Sequence, residues 1–275
     1  MLNLIDKNRC FNGFQEVYGH DSSSNKCNMK FALYTPDKKE NVPVLFFLSG
    51  ITCTEQNFIQ KSGYQQFASK NEIAVVVPDT SPRGENVLDD KNYKLGKGAG
   101  FYLNASQKSW SENYNMYDYV CYELPNLIND NFNFSKNNSG IFGHSMGGGG
   151  AIQCAIKNPT LFKSVSAFSP ICSLLKSNFA KEARDKYLGN NTYQINIYDP
   201  IYLIQNNNNL EAIKIDVGLE DEFFDDLFIS DFEKICKRQN QKLIVNKHKG
   251  YDHGYYFIQS FIEDHFNFHA SILKK

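Results

Sequence analysis

The chain has 275 residues, 41% of them apolar, with 29 Lys and Arg against 30 Asp and Glu for a formal net charge of −1. That balance excludes a protein that holds nucleic acid chiefly by neutralising phosphates, because no basic excess exists to release counterions. A chain of this length buries roughly three quarters of its unfolded surface, so one large core stands without staples.

The first residues place Asp6, Lys7 and Arg9 where a secretory leader would need an unbroken apolar segment, and no run of about 18 apolar residues follows. A cytoplasmic, non-membrane protein is expected. Two alternating segments, around Phe11 to Tyr18 and Met29 to Tyr34, read as an antiparallel hairpin added to one sheet edge. Apolar runs bounded by turn residues then mark buried strands at Val44 to Leu48, Ile73 to Val77, Ser139 to Phe142, Val165 to Phe168, Ala212 to Val217 and Leu243 to Val245. Several are hydrophobic almost without interruption, as a parallel sheet covered on both faces requires. Helical spacing falls between them at about Gln65 to Lys70, Tyr117 to Asn129, Met146 to Lys157, Leu227 to Gln239 and Gly254 to Phe268. The alternation predicts an α/β fold in a single domain spanning residues 1–275. A mostly parallel central sheet carries helices on both faces and an antiparallel N-terminal edge hairpin.

Two features carry no chemistry. The run Asn206 to Asn209 reads as a solvated loop. Seven cysteines (Cys10, Cys27, Cys53, Cys121, Cys154, Cys172, Cys236), odd in number and without a C-x-x-C, suggest neither a disulfide framework nor a zinc knuckle. Gly96 to Gly100 is glycine-dense but does not match a dinucleotide or phosphate loop, so neither a nucleotide cofactor nor a metal is expected.

The chemistry sits at Gly143-His-Ser145-Met-Gly147, a G-x-S-x-G pattern between a predicted strand and a predicted helix. That junction holds a serine on a strained elbow with its hydroxyl exposed, and side chains at Gly143 and Gly147 would collide where the turn is tightest. A serine hydroxyl is a poor nucleophile unaided, so a base and an orienting acid should follow in the order Ser, Asp or Glu, His. After the predicted strand at Ala212 to Val217 comes Glu220-Asp221-Glu222; after Leu243 to Val245 comes the loop Lys249 to Gly254 with His253. Both loops leave the same sheet edge as the elbow, where open α/β sheets bind ligands. His253 is the best placed base; His144 should point away from its neighbour, His248 ends a strand, and His265 and His269 share one face of the last helix. Asp221 is the best placed acid and Asp216 stands second. The oxyanion donors should be the backbone N–H groups of Met146 and Ile51, with Gly50 letting the backbone approach the substrate. Gly50, Cys53, Trp110 and Tyr255 are candidates for the substrate pocket, Cys53 as a thiol-sensitive wall and not as a nucleophile.

With these residues placed, the chain resembles the S-formylglutathione hydrolase (esterase D) family of α/β-hydrolases. The resemblance rests on Leu48–Phe58, Pro78–Gly84, Lys97–Ser106, Gly143–Ala151, Asp216–Phe224 and Gly250–Ala270. It implies a cytosolic serine thioesterase that splits S-formylglutathione into glutathione and formate. The family's triad falls on Ser145, Asp221 and His253, and its oxyanion donors on Ile51 and Met146. The implied partner is a small-molecule glutathione thioester, with no nucleic acid, no membrane and no cofactor; a homodimer is allowed. A broad short-chain carboxylesterase or acyltransferase using the same triad is the alternative. Gly254 follows the histidine where the family commonly has serine, and it is expected to loosen the loop that positions His253.

Overall fold

The apolar runs become the middle of a nine-stranded sheet in the computed structural model, which describes residues 2–38, 40–207 and 210–275. The strands are β1 (Asn3–Arg9), β2 (Gly13–Ser22), β3 (Cys27–Pro36), β4 (Val44–Leu48), β5 (Ala74–Pro78), β6 (Ser139–His144), β7 (Phe162–Phe168), β8 (Ile213–Gly218) and β9 (Leu243–His248). Their spatial order is β1-β2-β3-β5-β4-β6-β7-β8-β9. β1, β2, β3 and β5 pair antiparallel, and every pair from β5 to β9 is parallel. The expected hairpin is β2 and β3, and β3 attaches it to the parallel sheet.

Alternate residues of the central strands serve two separate cores. Leu45 and Phe47 on β4 face α1 (Glu55–Lys61), α2 (Gln65–Lys70) and the long α10 (Tyr255–Leu273), where Phe47 stacks on Phe58 at 3.5 Å between ring centres. Phe46 and Leu48 face the other way, toward α3 (Met116–Asp118), α4 (Leu124–Asn131), α5 (Met146–Lys157), α8 (Pro200–Asn206) and α9 (Ile229–Arg238). Completing the chain are α6 (Lys181–Leu188) and α7 (Thr192–Asn196).

Some elements differ from the sequence pattern for identifiable reasons. β1 carries no alternation because all seven of its side chains are exposed on the outermost strand. The helix predicted from Tyr117 to Asn129 is interrupted by a π-helical turn at Tyr119–Glu123. Pro125, lacking an N–H, cannot bond back to Cys121, and the ladder widens there. Helix α1 begins at a capping box, in which the Thr54 side chain accepts from Gln56 N and Asn57 accepts from Thr54 N. The asparagine run falls partly in α8, which ends at Asn206; Asn208 and Asn209 lie outside the described residues.

Candidate active site

Strand β6 runs into a turn at Ser145, whose φ of +57° and ψ of −120° no ordinary side chain adopts without strain. The glycines around it answer to backbone contact. A Cβ at Gly143 would stand 2.2 Å from Gly147 O, and one at Gly147 would stand 2.0 Å from Leu48 O. The elbow is held by Ser145 N–H donating to Phe168 O at 2.9 Å, while Ser145 O accepts from Gly149 N and Ile171 N. The hydroxyl is thereby aimed off the C-terminal edge of the parallel strands.

Asp221 and His253 meet at that edge, His253 Nδ1 lying 2.7 Å from Asp221 Oδ2. Burial alone would push the Asp221 carboxyl up, but the hydrogen bond and charge of His253 outweigh it and the carboxyl ends below its ordinary range. Because Nδ1 is committed to the acid, Nε2 is the nitrogen available to a serine. The two loops are also zipped together through their backbones: Leu219 N donates to His248 O, Glu220 N to Tyr251 O, and Gly250 N to the Glu220 carboxylate at 2.7 Å. Gly254 does not leave this loop loose. Its N–H donates to Asp252 Oδ1 at 2.8 Å and it occupies the N-cap of α10. No hydrogen bond joins Ser145 Oγ to His253 among the described residues.

The loop after β4 completes the site. Gly50 packs directly on the elbow: a Cβ there would stand 3.1 Å from His144 Nδ1 and 3.3 Å from Ser145 Cβ. The N–H groups of Ile51, in this loop, and of Met146, the first residue of α5, find no backbone acceptor among the described residues. Thr52, at φ +66°, donates its N–H to Gly98 O at 2.9 Å, and Gly98 N donates to Ser81 Oγ at 2.7 Å. The glycine-dense Gly96–Gly100 segment therefore braces the loop after β4.

A small cleft over Ser145 is lined by Ile171, Phe179, Phe223, Asp226 and Leu227. Sequence reasoning assigned none of these five to the pocket. They come from the stretch after β7 and the turn after Asp221, and only proximity to the acid in the chain could have singled out Phe223. Of the pocket candidates, Trp110 belongs to an aromatic trio with Tyr114 and Tyr187, at 5.0 and 5.1 Å between ring centres, and packs in the core. Tyr255 is half-buried, its ring centre 6.3 Å from that of His144. Cys53 is buried, and burial raises its thiol, which is the wrong direction for a nucleophile. All seven cysteines are free.

The four other histidines weighed as the base also have partners. His248 Nε2 bonds Asp216 Oδ2 at 2.9 Å, so the second-choice acid forms an Asp–His pair of its own, inside the sheet. Lys214 Nζ is 2.6 Å from Asp216 Oδ1, and His265 and His269 on α10 bond Ser166 and Ser164 of β7. His144, buried beside the nucleophile, places Nε2 at 2.9 Å from the His253 carbonyl.

A mostly parallel sheet with a serine elbow after β6 and a paired aspartate and histidine from the loops after β8 and β9 defines an α/β-hydrolase of the serine esterase class. Known proteins agree with it: the family model described as "Putative esterase" matches residues 22–268. An S-formylglutathione hydrolase from Bos taurus is 46% identical over 278 residues, covering 99% of each chain. The solved S-formylglutathione hydrolase from Agrobacterium tumefaciens superposes with a TM-score of 0.97 at 43% identity, covering 98% of this chain and 99% of that one. A fluorophosphonate-binding serine hydrolase from Staphylococcus aureus shares the fold at TM-score 0.74 and 19% identity, over 94% and 98% of the two chains. The chain belongs to the S-formylglutathione hydrolase family, as the motif resemblance implied.

Proposed function

We propose that this enzyme hydrolyses S-formylglutathione to glutathione and formate, with Ser145 as nucleophile, His253 as general base and acid, and Asp221 as the group that orients it. The observation that carries the roles is the 2.7 Å bond from His253 Nδ1 to Asp221 beside the strained Ser145 elbow. His253 Nε2 takes the Ser145 proton as Oγ attacks the thioester carbonyl. The tetrahedral oxyanion is met by the N–H groups of Ile51 and Met146, which are fixed before reaction. Collapse expels the glutathione thiolate with the proton from His253. Water then gives a proton to His253 and attacks the formyl ester, and His253 returns that proton to Ser145 Oγ as formate leaves. Each step uses the chain's own groups.

The acyl end follows from size. Ile171, Phe179, Phe223 and Leu227 crowd the space over Ser145, which favours a short acyl group. No helix among the described residues is long and apolar enough to cross a membrane, and seven free cysteines suit the reducing cytoplasm where this reading places the enzyme. The test is a substrate panel of S-formylglutathione and p-nitrophenyl esters of increasing acyl length, run on the wild type and Ser145→Ala. Formyl thioester turnover should exceed that of the longer esters, and Ser145→Ala should abolish both. A preference for long acyl chains overturns the substrate, and an active Ser145→Ala overturns the triad.

A further inference from the structure

We propose that His144 is a positioning residue that fixes where His253 stands over Ser145. The inference rests on the triad reading above and adds a fourth side chain to it. One imidazole touches three of the loops that build the site. Its own backbone is the last residue of β6, immediately before the nucleophile. Its Nε2 is 2.9 Å from the backbone carbonyl of His253. Its Nδ1 edge faces Gly50, where any Cβ would stand 3.1 Å away. The ring centres of His144 and His253 are 4.5 Å apart.

The chemistry of the contact assigns the proton. A carbonyl oxygen can only accept, so His144 must donate through Nε2–H, and a neutral ring then leaves Nδ1 bare. Burial keeps the ring neutral, pushing it down to about 3, with the neighbouring His253 acting in the same direction and Asp221 opposing. Neutrality matters here. A second cation 4.5 Å from His253 would oppose the imidazolium that forms when His253 takes the serine proton, whereas a neutral ring leaves the favourable Asp221 charge unopposed by His144.

The bond is made to the backbone of the base, not to its ring, and so acts on a different degree of freedom from Asp221. Asp221 sets the tautomer and rotation of the imidazole; His144 sets the height of its Cα above the elbow. Displacement of a catalytic group by about 1 Å costs on the order of 100-fold in rate. The glycine at position 50 fits the same account, since it is what admits the ring between the oxyanion loop and the elbow.

The test compares His144→Phe, which keeps a ring without the donor, with His144→Gln, whose amide offers an N–H at similar reach. Each is assayed with p-nitrophenyl acetate and for its rate of labelling by a fluorophosphonate, alongside wild type and Ser145→Ala. These probes do not depend on the thioester assignment. We expect kcat and the labelling rate of His144→Phe to fall about 10- to 100-fold with KM within about twofold, and His144→Gln to recover most of that loss. A His144→Phe enzyme within twofold of wild-type kcat overturns the proposal, as does a folded His144→Gln as slow as His144→Phe. Should the Phe variant not fold, His144→Asn, whose amide stops short of the His253 carbonyl, takes its place: kcat equal to that of His144→Gln then overturns the proposal. Full activity in Ser145→Ala would instead mark failure of the triad reading itself.

Discussion

Arg83 Nη2 lies 2.9 Å from the backbone carbonyl of Cys53, tying the loop after β5 to the loop that carries Ile51. The same guanidinium is held by the buried Asp79 through Nε at 2.8 and 3.0 Å, so its position is fixed from behind. The pair braces the loop after β4 from behind. Arg83→Ala should therefore lower kcat by roughly tenfold, less than the 10²- to 10³-fold typical of removing an oxyanion donor outright, with a smaller change in KM. Steady-state kinetics with a short ester checks this.

The orienting role of Asp221 gives a sharper expectation. In Asp221→Asn the partner of His253 Nδ1 becomes an amide that can present its N–H, which favours the wrong tautomer. The rate should fall by roughly 10⁴-fold while the fold is kept. An unchanged melting temperature together with kcat within tenfold of wild type would contradict the assignment.

Gly147 and Gly250 separate steric from conformational demand. Gly147→Ala drives a Cβ to 2.0 Å from Leu48 O, a backbone atom that cannot swing away, and should cost more than about 3 kcal/mol. Gly250, at φ +84°, offers open space, with nothing within 4 Å of where a Cβ would stand, so Gly250→Ala meets only the left-handed backbone penalty of about 1 kcal/mol. Thermal melts of the two variants should differ accordingly, by roughly 2–4 °C for each kcal/mol.

Asp216 predicts a pH dependence. Burial alone would raise its carboxyl, but His265 and Lys214 outweigh it and hold the group well below the usual carboxylate range. A carboxyl depressed in the folded state stabilises above its unfolded value, about 3.9, and that contribution disappears as pH falls toward the folded value. Asp216→Asn, which leaves the buried Lys214 without its anion, should cost about 3 kcal/mol at neutral pH. The gap between variant and wild type should narrow steadily below about pH 4. Denaturant titrations across pH read it directly, and a gap that widens in acid would show the sign to be wrong.

Most of the active-site constellation was legible because its parts are local patterns. The elbow needs glycines at fixed offsets, and the acid and base each follow an apolar strand. The central strands were legible for the same reason, being buried on both faces. What escaped was set by tertiary contact. β1 has no buried face to impose a pattern, and the cleft residues Ile171, Phe179 and Leu227 are ordinary apolar side chains until the fold places them over Ser145. Trp110 shows the opposite error: a lone tryptophan invites a pocket role, yet its packing against two tyrosine rings explains it. His144 reads as idle because adjacency along the chain suggests a side chain turned away, and the contact that matters runs to a residue 109 positions later.

The Asp221–His253 pair closes a span of only 32 residues on neighbouring strands β8 and β9, far along the chain from the nucleophile on β6. During synthesis the serine elbow can therefore be complete while the groups that activate it are still inside the ribosome. An unfinished or C-terminally clipped chain would carry a serine with no base beside it. On the triad reading, hydrolytic competence thus arrives with the last strand and the loop after it, which makes activity a sensitive report of complete folding.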